Sequence, residues 1–199
     1  METRELNRYS SLNKLAGKGG TVILGGAEDR NIPLCELKQA FELEDDLYNR
    51  SVTGVSVEQA VEVYDACVAS LSPDTVLLHI GEADLPLFEK DAAAFDDAYR
   101  RLIAHIRSFN KKCRVVVITL RNPTKAPLVA EMNRHLKYLA ESERCDYGDI
   151  SGRMVWNPVE TKEVFSFVNT IGLTGALRNK RPIYDLIKIL FCCEPAFAS

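Results

Sequence analysis

The stretch Thr21-Val22-Ile23-Leu24-Gly25-Gly26-Ala27-Glu28-Asp29-Arg30 decides how the rest of the chain is read. Val22, Ile23 and Leu24 form an apolar run without alternation, the pattern of a strand buried on both faces. Gly25-Gly26 breaks the run at once and opens a loop. In open α/β sheets, ligands sit in the crevice beyond the carboxyl ends of the strands. Chemistry is therefore expected at this loop. It offers small residues and three charges, Glu28, Asp29 and Arg30, but no nucleophile.

Outward from this strand, apolar strands alternate with amphipathic helices. Residues 4–15 predict a leading helix, with Leu6, Leu12 and Leu15, and Gly17 to Gly20 a turn. Residues 34–42 predict a short helix with Leu34, Leu37 and Phe41 on one side. A brief second strand is expected around Tyr48 to Val52. Ser56 and Gln59 have the spacing of a capping box, and Val57, Ala60, Val61, Tyr64, Cys67, Val68 and Leu71 recur at helical period behind it. Ser72-Pro73-Asp74 stops that helix. Strand three, Thr75 to Ile80, is apolar on both faces and ends in Gly81-Glu82-Ala83-Asp84. A helix over 92–110 turns Phe95, Tyr99, Leu102, Ile106 and Phe109 inward. Strand four covers Arg114 to Thr119 and exits through Arg121-Asn122-Pro123. Pro127 suits the first turn of the next helix, which is lined by Leu128, Met132, His135 and Leu139. A weaker strand five falls near Cys145 to Asp149. Residues 151–170 read as irregular, and the last helix spans about 173–191, with Pro182 expected to kink it or delay its start. The alternation predicts one α/β domain over residues 1–199, with 1–19 as a leading helix and turn. Its fold class is a three-layer α/β/α sandwich on a five-stranded parallel sheet of order 2-1-3-4-5.

Composition narrows the function classes. Hydrophobic residues make up 46% and charged residues 27% of 199 residues, which fits a globular domain with a full core. A net charge of −3 argues against a nucleic-acid partner, and Lys111-Lys112 reads as a solvated helix end. No apolar run reaches the length of a membrane span, and the polar N-terminus lacks a signal-peptide core. A cytoplasmic protein is expected, with no membrane partner. The six cysteines form no CxxC pair and have no histidine at metal spacing, so a zinc site is not expected; no cofactor and no resident metal are expected. Cys67 falls on an apolar helical face, and Cys35 has no partner that would lower its pKa. Gly25-Gly26 is not a dinucleotide fingerprint, because GxGxxG is absent.

Three strand-end motifs carry a resemblance. Leu24-Gly25-Gly26-Ala27 ends strand one, Asn49-Arg50-Ser51-Val52-Thr53-Gly54 ends strand two, and His79-Ile80-Gly81-Glu82-Ala83-Asp84 ends strand three. In this order and spacing the chain, from about Gly20 onward, resembles the SGNH, or GDSL, hydrolase superfamily. The resemblance implies a flavodoxin-like fold and the chemistry of esterases, lipases and carbohydrate deacetylases. The family's motifs are Gly-Asp-Ser, a glycine ending the second block, Gly-x-Asn-Asp, and a late Asp-x-x-His. Here Ala27 stands at the nucleophile position and Gly26 at the Asp before it. Gly54 keeps the oxyanion glycine. Ala83 replaces the Asn donor, although Asp84 after it matches. Asn169 and Gly172 fall where the late Asp and His belong. An alanine cannot attack a carbonyl and a glycine cannot take a proton.

The histidines are His79, His105 and His135, each expected to be a partly buried structural residue. Ser56 is better explained by helix capping than by chemistry. Glu28 and Asp29 leave strand one, and Glu82 and Asp84 leave strand three, at the topological switch point. Four carboxylates there could hold a cation or cationic ligand, or pair with Arg30 and Arg121, but solvated loop charges and local turn bonds are the favoured reading. The candidate pocket comprises Gly25, Gly26, Glu28, Asp29, Arg30, Ser56, Glu82, Asp84, Arg121 and Asn122. The resemblance implies a pseudo-esterase that binds a small sugar or acyl ligand or serves as a scaffold. The alternative is an active esterase or deacetylase whose acidic residues supply acid–base or metal-assisted chemistry.

Overall fold

The structure is a computed structural model that describes residues 3–27, 29–32, 34–35, 38, 46–120 and 122–149. Glu28, Arg121, Asn169 and Gly172, together with the predicted last helix, lie outside the described residues.

Five parallel strands form one sheet in the order β2-β1-β3-β4-β5. They are β1 (Thr21–Gly25), β2 (Leu47–Asn49), β3 (Thr75–His79), β4 (Arg114–Ile118) and β5 (Asp146–Gly148). The expected topology is the observed one. β1 is buried along its whole length, as its unalternating apolar run requires. Val22, Leu24, Val76, Leu78, Val115 and Val117 join the main core on one face, and Ile23, Leu77 and Val116 are buried on the other. The register pairs Thr21 to Thr75 and runs through Gly25 to His79. The exits of the two central strands therefore lie side by side.

The helices follow their sequence signals. α1 (Thr3–Asn13) stops two residues short of expectation, leaving Leu15 exposed. Leu34, Cys35 and Lys38 are helical, as predicted. α2 (Val57–Val63) starts at the capping box: the Ser56 hydroxyl accepts the Gln59 backbone N–H, and the Gln59 side chain accepts that of Ser56. It continues through a π turn, Tyr64–Val68, and a 3-10 turn, Ala69–Leu71, to a left-handed Ser72. α3 (Leu85–Lys90) and α4 (Ala92–Phe109) are separated by Asp91, which caps α4 by accepting the Ala94 N–H. α5 (Ala126–Ser142) carries Pro127 in its first turn. α2, α4 and α5 bury Val57, Ala60, Phe95, Tyr99, Leu102, Ile106, Met132 and Leu139 in the common core. Phe109 departs from expectation and is exposed, resting against the rings of Tyr64 and His105. It is the last residue of α4.

Strand two differs in extent. Pairing with β1 ends at Asn49, while Arg50 and Val52 still donate backbone N–H groups to Ile23 and Gly25 carbonyls. The Arg50 guanidinium is buried between the rings of Tyr9 and Tyr48 and donates to the Asn13 side chain. It fastens α1 to the exit of β2.

Candidate functional site

The exits of β1, β2, β3 and β4 converge on a cleft of about 250 Å³ at the carboxyl edge of the sheet. Gly26, Ala27 and Asp29 come from the first exit, and Thr53, Gly54 and Val55 from the second. His79 to Ala83 come from the third, and Leu120 from the fourth. Ala27, Gly54 and Ala83 therefore line one cavity, at the switch point between β1 and β3. Gly54 has φ 69°, the left-handed region where a side chain is strained. Of the other candidates, Gly26, Asp29 and Glu82 line the cleft, whereas Gly25, Arg30, Ser56, Asp84 and Asn122 do not.

The acids of the crevice are engaged by separate partners. Asp84 is buried, and its carboxylate accepts the Val57 backbone N–H at 2.9 Å, so it serves the start of α2. Burial pushes its pKa up to about 6, opposed by the Val57 hydrogen bond and reinforced slightly by Glu58. The rise comes from desolvation and not from converging carboxylates. Glu82 accepts from the Asn122 amide at 3.2 Å. Asn122 in turn accepts the Thr124 and Lys125 N–H groups, capping the 3-10 turn after β4. Arg30 turns away from these acids, pairing with Glu5 of α1 at 2.8 Å and reaching the Thr53 hydroxyl at 3.5 Å. Ser56 is the helix cap. Among the described residues, no group of three or more His, Cys, Asp or Glu side chains is placed to hold a metal ion.

A different pair is brought together. His79 Nδ1 lies 2.9 Å from each carboxylate oxygen of Asp29, and the two residues are only 6% and 2% exposed. Asp29 also accepts the Gly26 N–H at 3.1 Å, and its carbonyl accepts the Asn49 amide at 2.7 Å. The loop thus curls back over Gly25, where any Cβ would overlap the Asp29 carboxylate. The sequence alone reads Asp29 as one acid of a crevice and His79 as a partly buried structural residue. Together they form a buried pair on the cleft. The signal was available in the register, since His79 is the cross-strand partner of Gly25. His105 and His135 also meet aspartates, Asp65 at 2.6 Å and Asp96 at 3.0 Å, away from the cleft.

Two further residues shape the site unannounced by the sequence. Asn133 of α5 accepts the Leu120 N–H and donates to the Leu120 carbonyl, both at 2.8 Å, fixing the fourth wall. Arg50 fixes the second exit, as described above. The described cysteines are free thiols. Burial pushes the Cys67 thiol up to about 11, which makes it an inert core residue.

The architecture is that of the SGNH, or GDSL, hydrolase fold. A structure from Streptococcus pneumonia described as a platelet activating factor superposes with a TM-score of 0.65 at 13% identity, over 79% of this chain and 78% of that one. A GDSL-like lipase from Bacteroides thetaiotaomicron superposes with a TM-score of 0.57 at 16% identity, over 88% of this chain and 100% of its own. An acetylxylan esterase from Geobacillus stearothermophilus, as a catalytic mutant, gives a TM-score of 0.52 at 16% identity, over 69% and 78%. No family model matches the chain, and no curated protein matches it. Among the described residues, no helix is long and apolar enough to cross a membrane.

Proposed function

We propose that this chain is a pseudo-esterase of the SGNH superfamily, a ligand-binding or scaffold domain whose cleft takes a small sugar or acyl group. The observation that carries this reading is the placement of Ala27 and Ala83 in the same cleft as Gly54. In the family resemblance these positions belong to the nucleophile and a side-chain oxyanion donor, and here both end in a methyl group. Serine-type acyl transfer needs a nucleophile, a base to activate it and donors for the developing oxyanion. The cleft, at about 250 Å³, has room for a small group and has apolar walls, Val55, Ile80 and Leu120, with a few polar groups between them. That is the composition of a binding site.

A second reading, hydrolysis by a non-standard site, draws support from Asp29–His79, a base held by a carboxylate on the same cleft. It no longer draws support from a cluster of acids. Assays on ester and acetyl-sugar substrates, run with and without added divalent metal, separate the two. The pseudo-esterase predicts no saturable turnover under either condition. The alternative predicts turnover that falls when His79 is replaced by glutamine.

A further inference from the structure

A second cavity, of about 320 Å³, lies between α1 and the exits of β1 and β2. Glu5, Arg8, Tyr9 and Leu12 line it from α1, at the spacing that puts side chains on one helix face. Arg30, Ile32 and Asn49 line it from the strand exits. It shares no described lining residue with the cleft. Most of its polar groups are already engaged. The Tyr9 hydroxyl donates to the Ser51 carbonyl at 2.8 Å. The Asn49 side chain donates to the Asp29 carbonyl and accepts the Ser51 N–H. Glu5 takes Arg30, at 2.8 Å, rather than Arg8 one turn along its own helix. Arg8 is exposed and has no acid partner among the described residues. Burial and then Glu5 raise the Tyr9 pKa, while Arg50, Arg30 and Arg8 oppose the rise, so all three guanidinium groups are felt at this wall. With Arg8, Arg30 and Glu5, the described lining carries one net positive charge.

We propose that this cavity is a second binding site, for a small organic carboxylate that the Arg8 guanidinium holds with its carbon body against Leu12 and Ile32. The proposal does not depend on how the cleft is read. A guanidinium presents a planar fork of donors that matches a carboxylate at two points. A single net positive charge is balanced by a monoanion, and the apolar side chains beside it suit a short carbon chain. The cleft offers the opposite setting, with Asp29 and Glu82 and no Lys or Arg in its described lining.

The test is NMR titration of the isotope-labelled protein with butyrate, beside butyramide, a neutral molecule of nearly the same shape. Butyrate is expected to shift the amide signals of Leu12 and Ile32 and the Nε–H signal of Arg8 saturably. Butyramide binds about tenfold more weakly or worse, because it lacks the charge. Arg8→Gln weakens butyrate binding about fivefold or more and leaves the urea midpoint in place, since Arg8 is exposed and holds no described group. Glu5→Gln acts the other way. It removes the one acid of the described lining and releases Arg30, so butyrate binds about twofold tighter or better. Where Glu5→Gln lowers the urea midpoint, Arg8→Gln decides. Butyramide that binds as tightly as butyrate overturns the proposal, and so does butyrate binding unchanged in Arg8→Gln. Saturable shifts confined to Gly81 and Ala83 in the cleft overturn it as well, as does a native chain in which no butyrate shift saturates.

Discussion

At Gly25 the missing side chain is a requirement of the loop. The Asp29 carboxylate occupies the place where a Cβ would stand, and from there it reaches His79 and the Gly26 N–H. Gly25→Ala must push Asp29 aside and break both contacts in a buried setting. We expect it to lower stability by about 1–3 kcal/mol, measured by urea unfolding. Asp84 behaves differently, because its burden is charge. Its pKa of about 6 in the folded protein lies above the ordinary 3.8, so the folded state holds the proton more tightly than the unfolded one. Stability from this group is therefore greatest below pH 4 and falls as pH rises through 6. Asp84→Asn removes that dependence. Relative to the variant, the native chain should lose of order 1–3 kcal/mol between pH 4 and pH 7. Parallel denaturation curves at the two pH values check this, and a difference that stays constant contradicts it.

Among the elements, α2 shows how an end can be set by side chains alone. Ser56 and Gln59 satisfy each other's backbone N–H groups, and Asp84 satisfies that of Val57 from the exit of β3. Ser56→Ala should cost about 1 kcal/mol, read as a lower urea midpoint at unchanged m-value. The capping box was legible because it is local, two residues at fixed spacing. So were the unalternating strands, since burial on both faces selects their composition. The role of Asp84 was not legible, because it lies 27 positions from Val57 and only the fold joins them. The same holds for Asn133 on Leu120 and for Arg50 between Tyr9 and Tyr48. Four acids near one switch point could hold a cation or stand as separate loop charges, and each described one is bonded to a different segment. Asp29 went to His79, Asp84 to Val57 and Glu82 to Asn122. Charge spacing gave the neighbourhood, and hydrogen bonding between separate exits decided the geometry.

For the whole molecule, the sheet supplies a cleft where the fold's relatives include esterases, while Ala27 and Ala83 supply no chemistry to it. A serine enzyme stripped of its nucleophile keeps only about 10³–10⁴-fold over water from its oxyanion hole and binding. Losing an oxyanion donor typically removes a further ~10²–10³-fold. On the proposed pseudo-esterase reading, either loss would take turnover below a routine assay even without full additivity. The most direct measurement is p-nitrophenyl acetate hydrolysis by the purified chain, beside Ala27→Val, which adds bulk to the cleft lining. The pseudo-esterase reading predicts equal rates for the two, linear in substrate and no faster than enzyme-free buffer. A saturable rate in the native chain that disappears in Ala27→Val would contradict it.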